Sequence, residues 1–455
     1  MRAIPAAWPA LSVLALALQG CASYRPEPLN PGAEFEALSR RGLDPLPAAP
    51  PRTVPTEWFP LVAEIDLEDG LSLVEANALA LFYAPKVRAS RSAAGVAAGQ
   101  LLQAGLLPNP ELFIGPRFTT DPTDVILPAH LMFGIPLGGK RSAERDRAAA
   151  SLDAARLDVM AVELETLVDV RRRFLHVATL DEERRILGSV ALQMDLALKW
   201  AERLEEAGEA SALAASLTRL ERDEIHQELH EKEAQLATAR AELFDLIGLL
   251  PSAGVEIVAP DHALPALPQR DPKAAVAHPR LKQREAIYRE AEHALRLEVA
   301  KQYPELRIGP SYEDAQGQGS LGFGLSLDLP IFDRNRGNIA AAEAARNAAR
   351  EVYQAEVLRL AREEAAARAR HEASQEILND YRSGTLASIE RTERVIAERL
   401  RGGQSSILEL LEARRAAARA RLRAAGLTER VAVAALDSAY AGGWVLARAP
   451  EGEKP

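Results

Sequence analysis

The sequence predicts a mainly α-helical protein with a small membrane-inserted β part, built from one unit written twice. Three observations predict it: strings of like residues recur at a fixed spacing, short alternating segments stand among them, and very long helical patterns follow. Along the 455 residues, Tyr83-Ala84-Pro85 matches Ala277-His278-Pro279. Asn109-Pro110-Glu111-Leu112-Phe113-Ile114-Gly115-Pro116 matches Tyr303-Pro304-Glu305-Leu306-Arg307-Ile308-Gly309-Pro310. Pro136 matches Pro330, and each proline pair is 194 positions apart. Later the spacing slips by one, so that Gly208-Glu209-Ala210-Ser211-Ala212-Leu213 lies against Gly403-Gln404-Ser405-Ser406-Ile407-Leu408. A duplication of this kind fixes the organisation before any local reading.

The chain opens with Arg2 and a nearly continuous apolar run over residues 3–18, followed by Leu18-Gln19-Gly20-Cys21. That pattern resembles a bacterial lipobox. It implies a signal peptide over 1–20 and a lipidated Cys21 as the mature N-terminus. Residues 22–68 hold nine prolines and little periodicity, so 21–68 reads as an extended leader that tethers or wraps rather than forming core. Repeat one then covers 69–248, a linker 249–270, repeat two 271–441, and a tail 442–455.

Each repeat has the same order. A helical segment comes first, about 71–106 and 272–301. Two short strands follow, about 109–119 and 129–138 in copy one, 303–313 and 321–331 in copy two. All four alternate: Leu112, Ile114, Pro116 and Phe118 share a face, as do Leu131, Phe133, Ile135 and Leu137, and Leu306, Ile308, Pro310 and Tyr312. Leu321, Phe323, Leu325, Leu327 and Leu329 complete the set. Alternation gives each strand one apolar and one polar face. Segments of about ten residues cross a bilayer when tilted. Beyond the signal peptide no long apolar window exists, so membrane entry has to be by β-strands, and unpaired edges are not tolerated in lipid. Four strands do not close a barrel, which requires several chains.

Helical hairpins over 139–248 and 334–441 close the repeats. No proline and almost no glycine interrupts 139–204 or 334–398, a length of roughly 100 Å each. Leu358, Ala361, Ala365, Ala369, Ala373 and Ile377 mark a seam of small and apolar residues. At the strand-to-helix junctions Pro136 and Pro330 suit strand ends. Asp333 or Asn335 caps the incoming helix, and Gly337 permits a bend.

Composition excludes several functions. The formal net charge is -10 with mixed signs, so no nucleic-acid footprint is present. One cysteine allows no intrachain disulfide. His226-Gln227-Glu228-Leu229-His230 places two histidines at i and i+4, a spacing that can bind zinc, but it is not HExxH and its neighbours are charged. A solvated face is the favoured reading of His226 and His230. No phosphate loop or catalytic constellation is visible, and no cofactor is implied.

The duplicated plan, the PELFIGP and PELRIGP pair, and Leu329-Pro330-Ile331-Phe332-Asp333-Arg334-Asn335-Arg336-Gly337-Asn338-Ile339 together resemble the TolC family of outer-membrane channel proteins over residues 70 to 441. The junction is similar to that of the cobalt–zinc–cadmium branch. The resemblance implies a homotrimer whose twelve strands form one barrel, continued by a long periplasmic α-helical barrel. It implies a passive exit duct of a tripartite pump, working with a periplasmic adaptor and an inner-membrane pump, without catalysis. Divalent heavy-metal cations are the cargo the branch implies. Drug efflux or type I protein secretion are alternatives, and a periplasmic coiled-coil adaptor or metal-binding protein is the reading of a different class. The hairpin tips then become the adaptor surface, with Gly208, Ser211, Gly403, Ser405 and Leu408 as docking residues. Glu205, Glu206 and Glu209 of one tip face Arg399 and Arg401 of the other as a candidate ion-pair gate.

Overall fold

The computed structural model describes residues 24–41, 59, 67, 70–115, 117–118, 125–208, 211–253, 255–258, 275–315, 318–402 and 404–444. Cys21, Glu209, Gly403 and most of the leader and linker lie outside the described residues.

A short helix α1 (Pro31–Ser39) is capped by Asn30, whose side chain accepts from Gly32 N and Ala33 N. The first helical segment of repeat one is two helices, α2 (Leu73–Tyr83) and α3 (Pro85–Ala104), divided at Ala84 because Pro85 disfavours helical backbone before it. Ser72 and Glu75 form a capping box at the start of α2. Strands β1 (Glu111–Ile114), β2 (Arg117–Phe118) and β3 (Val125–Pro136) follow, then α4 (Lys140–Glu206) and α5 (Ala212–Ile247). Repeat two supplies α6 (Pro279–Ala300), β4 (Glu305–Ala315), β5 (Gln318–Leu327), α7 (Arg336–Asp380), α8 (Ala387–Arg401) and α9 (Ile407–Ala441).

The long helices arise where expected, with one interruption. Tyr381–Leu386 forms a π-turn between α7 and α8, a wider and weaker turn than α. The counterpart in α4 is unbroken over its 67 residues.

Helix α4 is the spine. It packs against its hairpin partner α5, against α3 of its own repeat, and against α6 and α9 of the other repeat. One core joins α2, α4 and α5 through Leu79, Val170, Phe174, Val177, Leu243 and Ile247. Burying each such side chain contributes about 1.5–3 kcal/mol. A second core joins α2, α4 and α9 through Leu81, Leu164, Leu167, Leu436 and Trp444. Phe59 of the leader is 1% exposed in that second core. The expectation of a leader outside the core is corrected at this residue: a large apolar ring in the core of α2, α4 and α9 is stabilised by leaving water. Arg41 is a second attachment point, donating to Gly248 O at 3.1 Å and lying over the Tyr83 ring.

Helix α7 is covered on fewer sides. Among the described residues its main packing partners are α6 and α9, and of its 45 residues Glu356, Leu360, Glu364, Ala367 and Leu378 are buried. Val352, Leu358 and Ile377 stand exposed along it.

Candidate functional site

The strands form one antiparallel sheet in the order β1–β3–β4–β5, with β2 continuing β1 along β3. Its register joins the apolar positions of both repeats into rows. Leu112 lies opposite Leu131, and Pro310 opposite Phe323. Phe133 lies opposite Ile308, which lies opposite Leu325. Ile135, Leu306 and Leu327 form the next row. The two repeats therefore share one apolar face. Leu112, Ile114, Leu321, Phe323 and Leu325 on it are between 59% and 86% exposed, so none of the described elements covers it.

The opposite face carries the polar side chains. Arg307 comes within 3.8 Å of Glu111, and the His130 ring stacks on Phe113 at 6.0 Å. Glycines on this face set the strand spacing. A Cβ on Gly309 would sit 1.7 Å from the Leu131 carbonyl oxygen, a clash with backbone that no rotamer relieves.

The strand ends differ from the sequence expectation. Strand β3 starts at Val125 and stops at Pro136, whereas β5 spans Gln318–Leu327 and ends three residues before Pro330. The sequence match of Pro136 to Pro330 is thus not a structural one. Leu131 and Leu327 hold equivalent places opposite Leu112 and Leu306, which puts the second strands 196 apart. The same spacing holds for Gly139 and Asn335, the residues before α4 and α7. Both adopt left-handed backbone, φ 75° and 58°. Such backbone suits glycine and is tolerated by asparagine.

At that turn the roles assigned from sequence change. Asn335 stands at the cap position but accepts no helix N–H; its Nδ2 donates to Glu298 O and Oε2, each at 2.8 Å, pinning α7 to the end of α6. Asp333 Oδ1 accepts from Asn335 N at 2.8 Å, so it shapes the turn rather than the helix start. Gly337 lies inside the first turn of α7 with open space around it. The bend is made by Asn335, not by Gly337. In copy one the close contact is Gly138, φ 67°, whose added Cβ would meet the Tyr303 ring at 2.3 Å.

At the tips, Gly208 adopts φ 73° after the end of α4 and is exposed, and Ser211 Oγ accepts from Ala214 N to start α5. In copy two the cap is Ser406, in a capping box with Glu409, while Ser405 beside it is half-buried. Leu408 lies in the first turn of α9. Glu205, Glu206, Arg399 and Arg401 are exposed, and among the described residues the fold of one chain brings none of their side chains together.

Comparison with known proteins decides what these surfaces belong to. The family model described as outer membrane efflux protein matches residues 128–249 and 272–439. The chain belongs to the outer membrane efflux protein family. It is 26% identical over 377 residues to the cobalt-zinc-cadmium resistance protein CzcC of Cupriavidus metallidurans, covering 80% of this chain and 86% of CzcC. Among solved structures, the CmeC outer membrane channel of Campylobacter jejuni superposes with a TM-score of 0.72 at 14% identity, covering 94% of each chain. VceC of Vibrio cholerae superposes with a TM-score of 0.68 at 16% identity, covering 82% of this chain and 96% of VceC. The fold is that of the outer-membrane efflux channels, as the duplicated strands and hairpins predict.

Within this efflux fold the histidine pair is pinned by local partners. His226 Nε2 lies 3.1 Å from Asp195 Oδ1, and His230 Nδ1 lies 3.1 Å from Glu233 Oε2. Among the described residues no group of three His, Cys, Asp or Glu is placed to hold a metal ion.

Sequence reasoning missed a buried network where the repeats meet. His278 is fully buried at the start of α6, where its Nδ1 accepts from Arg280 N at 3.1 Å. Burial pushes its imidazole down to about 4. The ring meets Tyr440 edge-on, and the Tyr440 hydroxyl donates to Glu165 Oε1 at 3.0 Å. Burial works to raise the Glu165 carboxyl, and the Arg280 guanidinium, the Tyr440 hydroxyl and Arg359 together more than offset it, leaving it below the usual range. Arg280 also donates to Asp158 at 3.1 Å. The signal available was a polar residue before Pro279 at a helix start, an N-cap pattern.

Proposed function

We propose that three copies of this chain close the sheet into a twelve-stranded barrel in the outer membrane, continued by a periplasmic tube of their long helices. The assembly serves as the passive exit duct of a tripartite efflux pump, with a periplasmic adaptor and an inner-membrane pump as partners and no chemistry of its own. The observation that carries this reading is the apolar face spanning both repeats, bare of cover, on a sheet whose strands run directly into the longest helices of the molecule. Water does not sustain a face of that kind at both edges of an open sheet, and closure in lipid satisfies it.

The cargo in this reading is divalent heavy-metal cations, which rests on the likeness to CzcC. Cys21 carries the acyl anchor. Gly208, Ser211, Gly403, Ser405 and Leu408 dock the adaptor, and Glu205, Glu206 and Glu209 of one hairpin attract Arg399 and Arg401 of another to close the tip. Exposed ion pairs contribute only about 0–1 kcal/mol each, weak enough for a docking partner to displace.

Native mass spectrometry of the protein extracted from outer membranes tests the assembly. A mass of three chains, each beginning at an acylated Cys21, is the expected result. A trimer without acyl mass retires the anchor alone, and a soluble monomer retires the duct. For the cargo, deleting the gene should lower the tolerated concentration of cobalt, zinc or cadmium; unchanged tolerance to all three would remove metal from the reading.

A further inference from the structure

One side of α4 is covered and the other is open. Phe174 packs in the core that α2 enters, and Leu167 in the core that holds Phe59. Two residues beyond each of them stand His176 and Asp169, and two residues turn a helix through roughly half a turn. These two therefore lie on the opposite side of α4. With Arg172 and Arg173, with Glu242 and Asp245 of α5, and with Glu429 of α9, they line a cleft of about 860 Å³. In a tube closed from three copies, α2 and the leader have to stand outside, because a second layer inside would fill the bore. The cleft then opens into the bore.

Resting on the duct proposed above, we infer that His176 and Glu429 form a proton-controlled charge on the bore wall, which makes the duct more selective for cations as pH rises. His176 Nδ1 donates to Glu429 Oε1 at 2.8 Å, across the junction of the two repeats. Both side chains are half-buried, fixed by the fold yet in reach of water. A charged imidazole cancels the carboxylate. A neutral one leaves it uncompensated, so each chain gains one negative charge. The other charges at this level are already matched. Arg172 is held by Asp169 at 2.6 Å and by Asp437 at 2.8 Å, and Arg173 by Glu242. Glu183, further along α4, is held by Lys232 of α5 at 2.7 Å. Asp245 of α5 adds one more carboxylate to the wall. Among these residue types, histidine is the one whose charge ordinarily changes near neutral pH.

The pairing decides where the change falls. The hydrogen bond to Glu429, with the charge of Glu429 and of Glu183, holds the His176 imidazole above its usual value, against burial and the Arg173 guanidinium. The proton is therefore kept through pH 6.5 and lost above it. Repeat two is built differently at this place. At the spacing of 196 that relates Gly139 to Asn335, His176 corresponds to Glu372. His371 beside it meets the carbonyl oxygen of Val431 at 3.2 Å rather than a carboxylate. The charge that follows pH therefore sits on the repeat-one wall.

Ion selectivity of the reconstituted full-length trimer tests this. Reversal potentials are read in potassium chloride gradients at about 10 mM, where the Debye length is about 30 Å and wall charges reach the passing ions. Between about pH 6 and about pH 8.5 the cation-over-anion permeability ratio should rise about twofold, the effect of one unit charge roughly 10 Å away across water. His176→Gln should hold the high-pH ratio throughout. His176→Arg keeps the pair charged and should hold the low-pH ratio throughout. The difference between the unaltered protein and His176→Gln separates this group from His130 on the polar face of the sheet. Glu429→Gln should lower the ratio at the upper pH by removing the carboxylate. A His176→Gln trimer that keeps the original pH profile overturns the inference, and so does a His176→Arg trimer that keeps it. Either variant alone decides, so loss of assembly in one leaves the other to be read. Trimers that conduct no ions overturn the duct itself, and the inference falls with it.

Discussion

Phe323 is the residue whose replacement separates a lipid-facing sheet from a merely exposed one. It lies near the middle of β5, opposite Pro310, and is 71% exposed. Phe323→Arg puts a guanidinium at mid-strand on the apolar face. In a transmembrane barrel an arginine at the bilayer midplane costs about 2–4 kcal/mol, falling to about 0–1 near the interfaces. That is roughly thirty- to several-hundred-fold in the inserted fraction per chain. The strand supplies its own controls: Leu321→Arg and Leu327→Arg lie nearer its two ends and should cost less. Ser320→Arg points to the opposite face, across from Glu313, and should stay within about 0.5 kcal/mol. The assay is folding of urea-unfolded chains into vesicles, reading the protease-protected fraction against urea for each variant. A graded profile peaking at Phe323 is expected. Four similar curves, or the largest loss at Ser320→Arg, would refute the assignment of that face to lipid.

The other predictions concern packing, pH and the tip. Gly309→Ala forces a Cβ against the Leu131 carbonyl and should cost about 3 kcal/mol or more, leaving little trimer in the outer membrane; a normal yield would show that β3 and β4 yield there. His278 is held neutral in the fold, its pKa lowered from 6.5 to about 4. Its effect on stability is therefore absent above pH 6.5. As pH falls from 6.5 towards 4 the unfolded chain takes up the proton first, and about 3 kcal/mol is lost. Urea midpoints measured across that window should fall less steeply in His278→Gln, and identical slopes would contradict the burial argument. Arg401→Glu should raise the leak conductance of the reconstituted channel, and an unchanged leak in a folded trimer would remove the ion-pair gate.

Much of the architecture was legible because it depends on local pattern. Leu306 and Phe323 alternate with polar or small neighbours, and α4 lacks proline throughout, so strand and helix follow from period and from the absence of breakers. The boundaries were less legible. Pro330 marks a place where no backbone donor is needed, which a strand end and a free turn satisfy equally; β5 stops at Leu327 because β4, its partner, begins at Glu305. The role of Asn335 was hidden for the same reason. Its partner Glu298 is 37 positions away on α6, and only the packed fold brings the two together. At the tips the matched serines, Ser211 and Ser406, each cap the helix that follows the turn, as their shared place in the two copies suggests.

The two repeats are alike in sequence but unequal in cover, and that inequality bears on function. The spine α4 has helices of both repeats around it, with Leu164, Phe174 and Leu187 almost wholly buried. Its counterpart α7 leaves Leu358 71% exposed, and its extension is loosened by the π-turn at Tyr381–Leu386. A single chain therefore completes the environment of one repeat and leaves the other waiting. Since equivalent segments demand equivalent surroundings, a closed ring is the arrangement in which every repeat two finds a repeat one and no edge is left over. A ring of that kind encloses the polar face of the sheet, with Arg307, Glu111 and His130 inside, and turns the apolar rows outward. The inside of such a ring is a water-filled path, so the requirement that stabilises the fold and the one that makes a duct are met by the same closure.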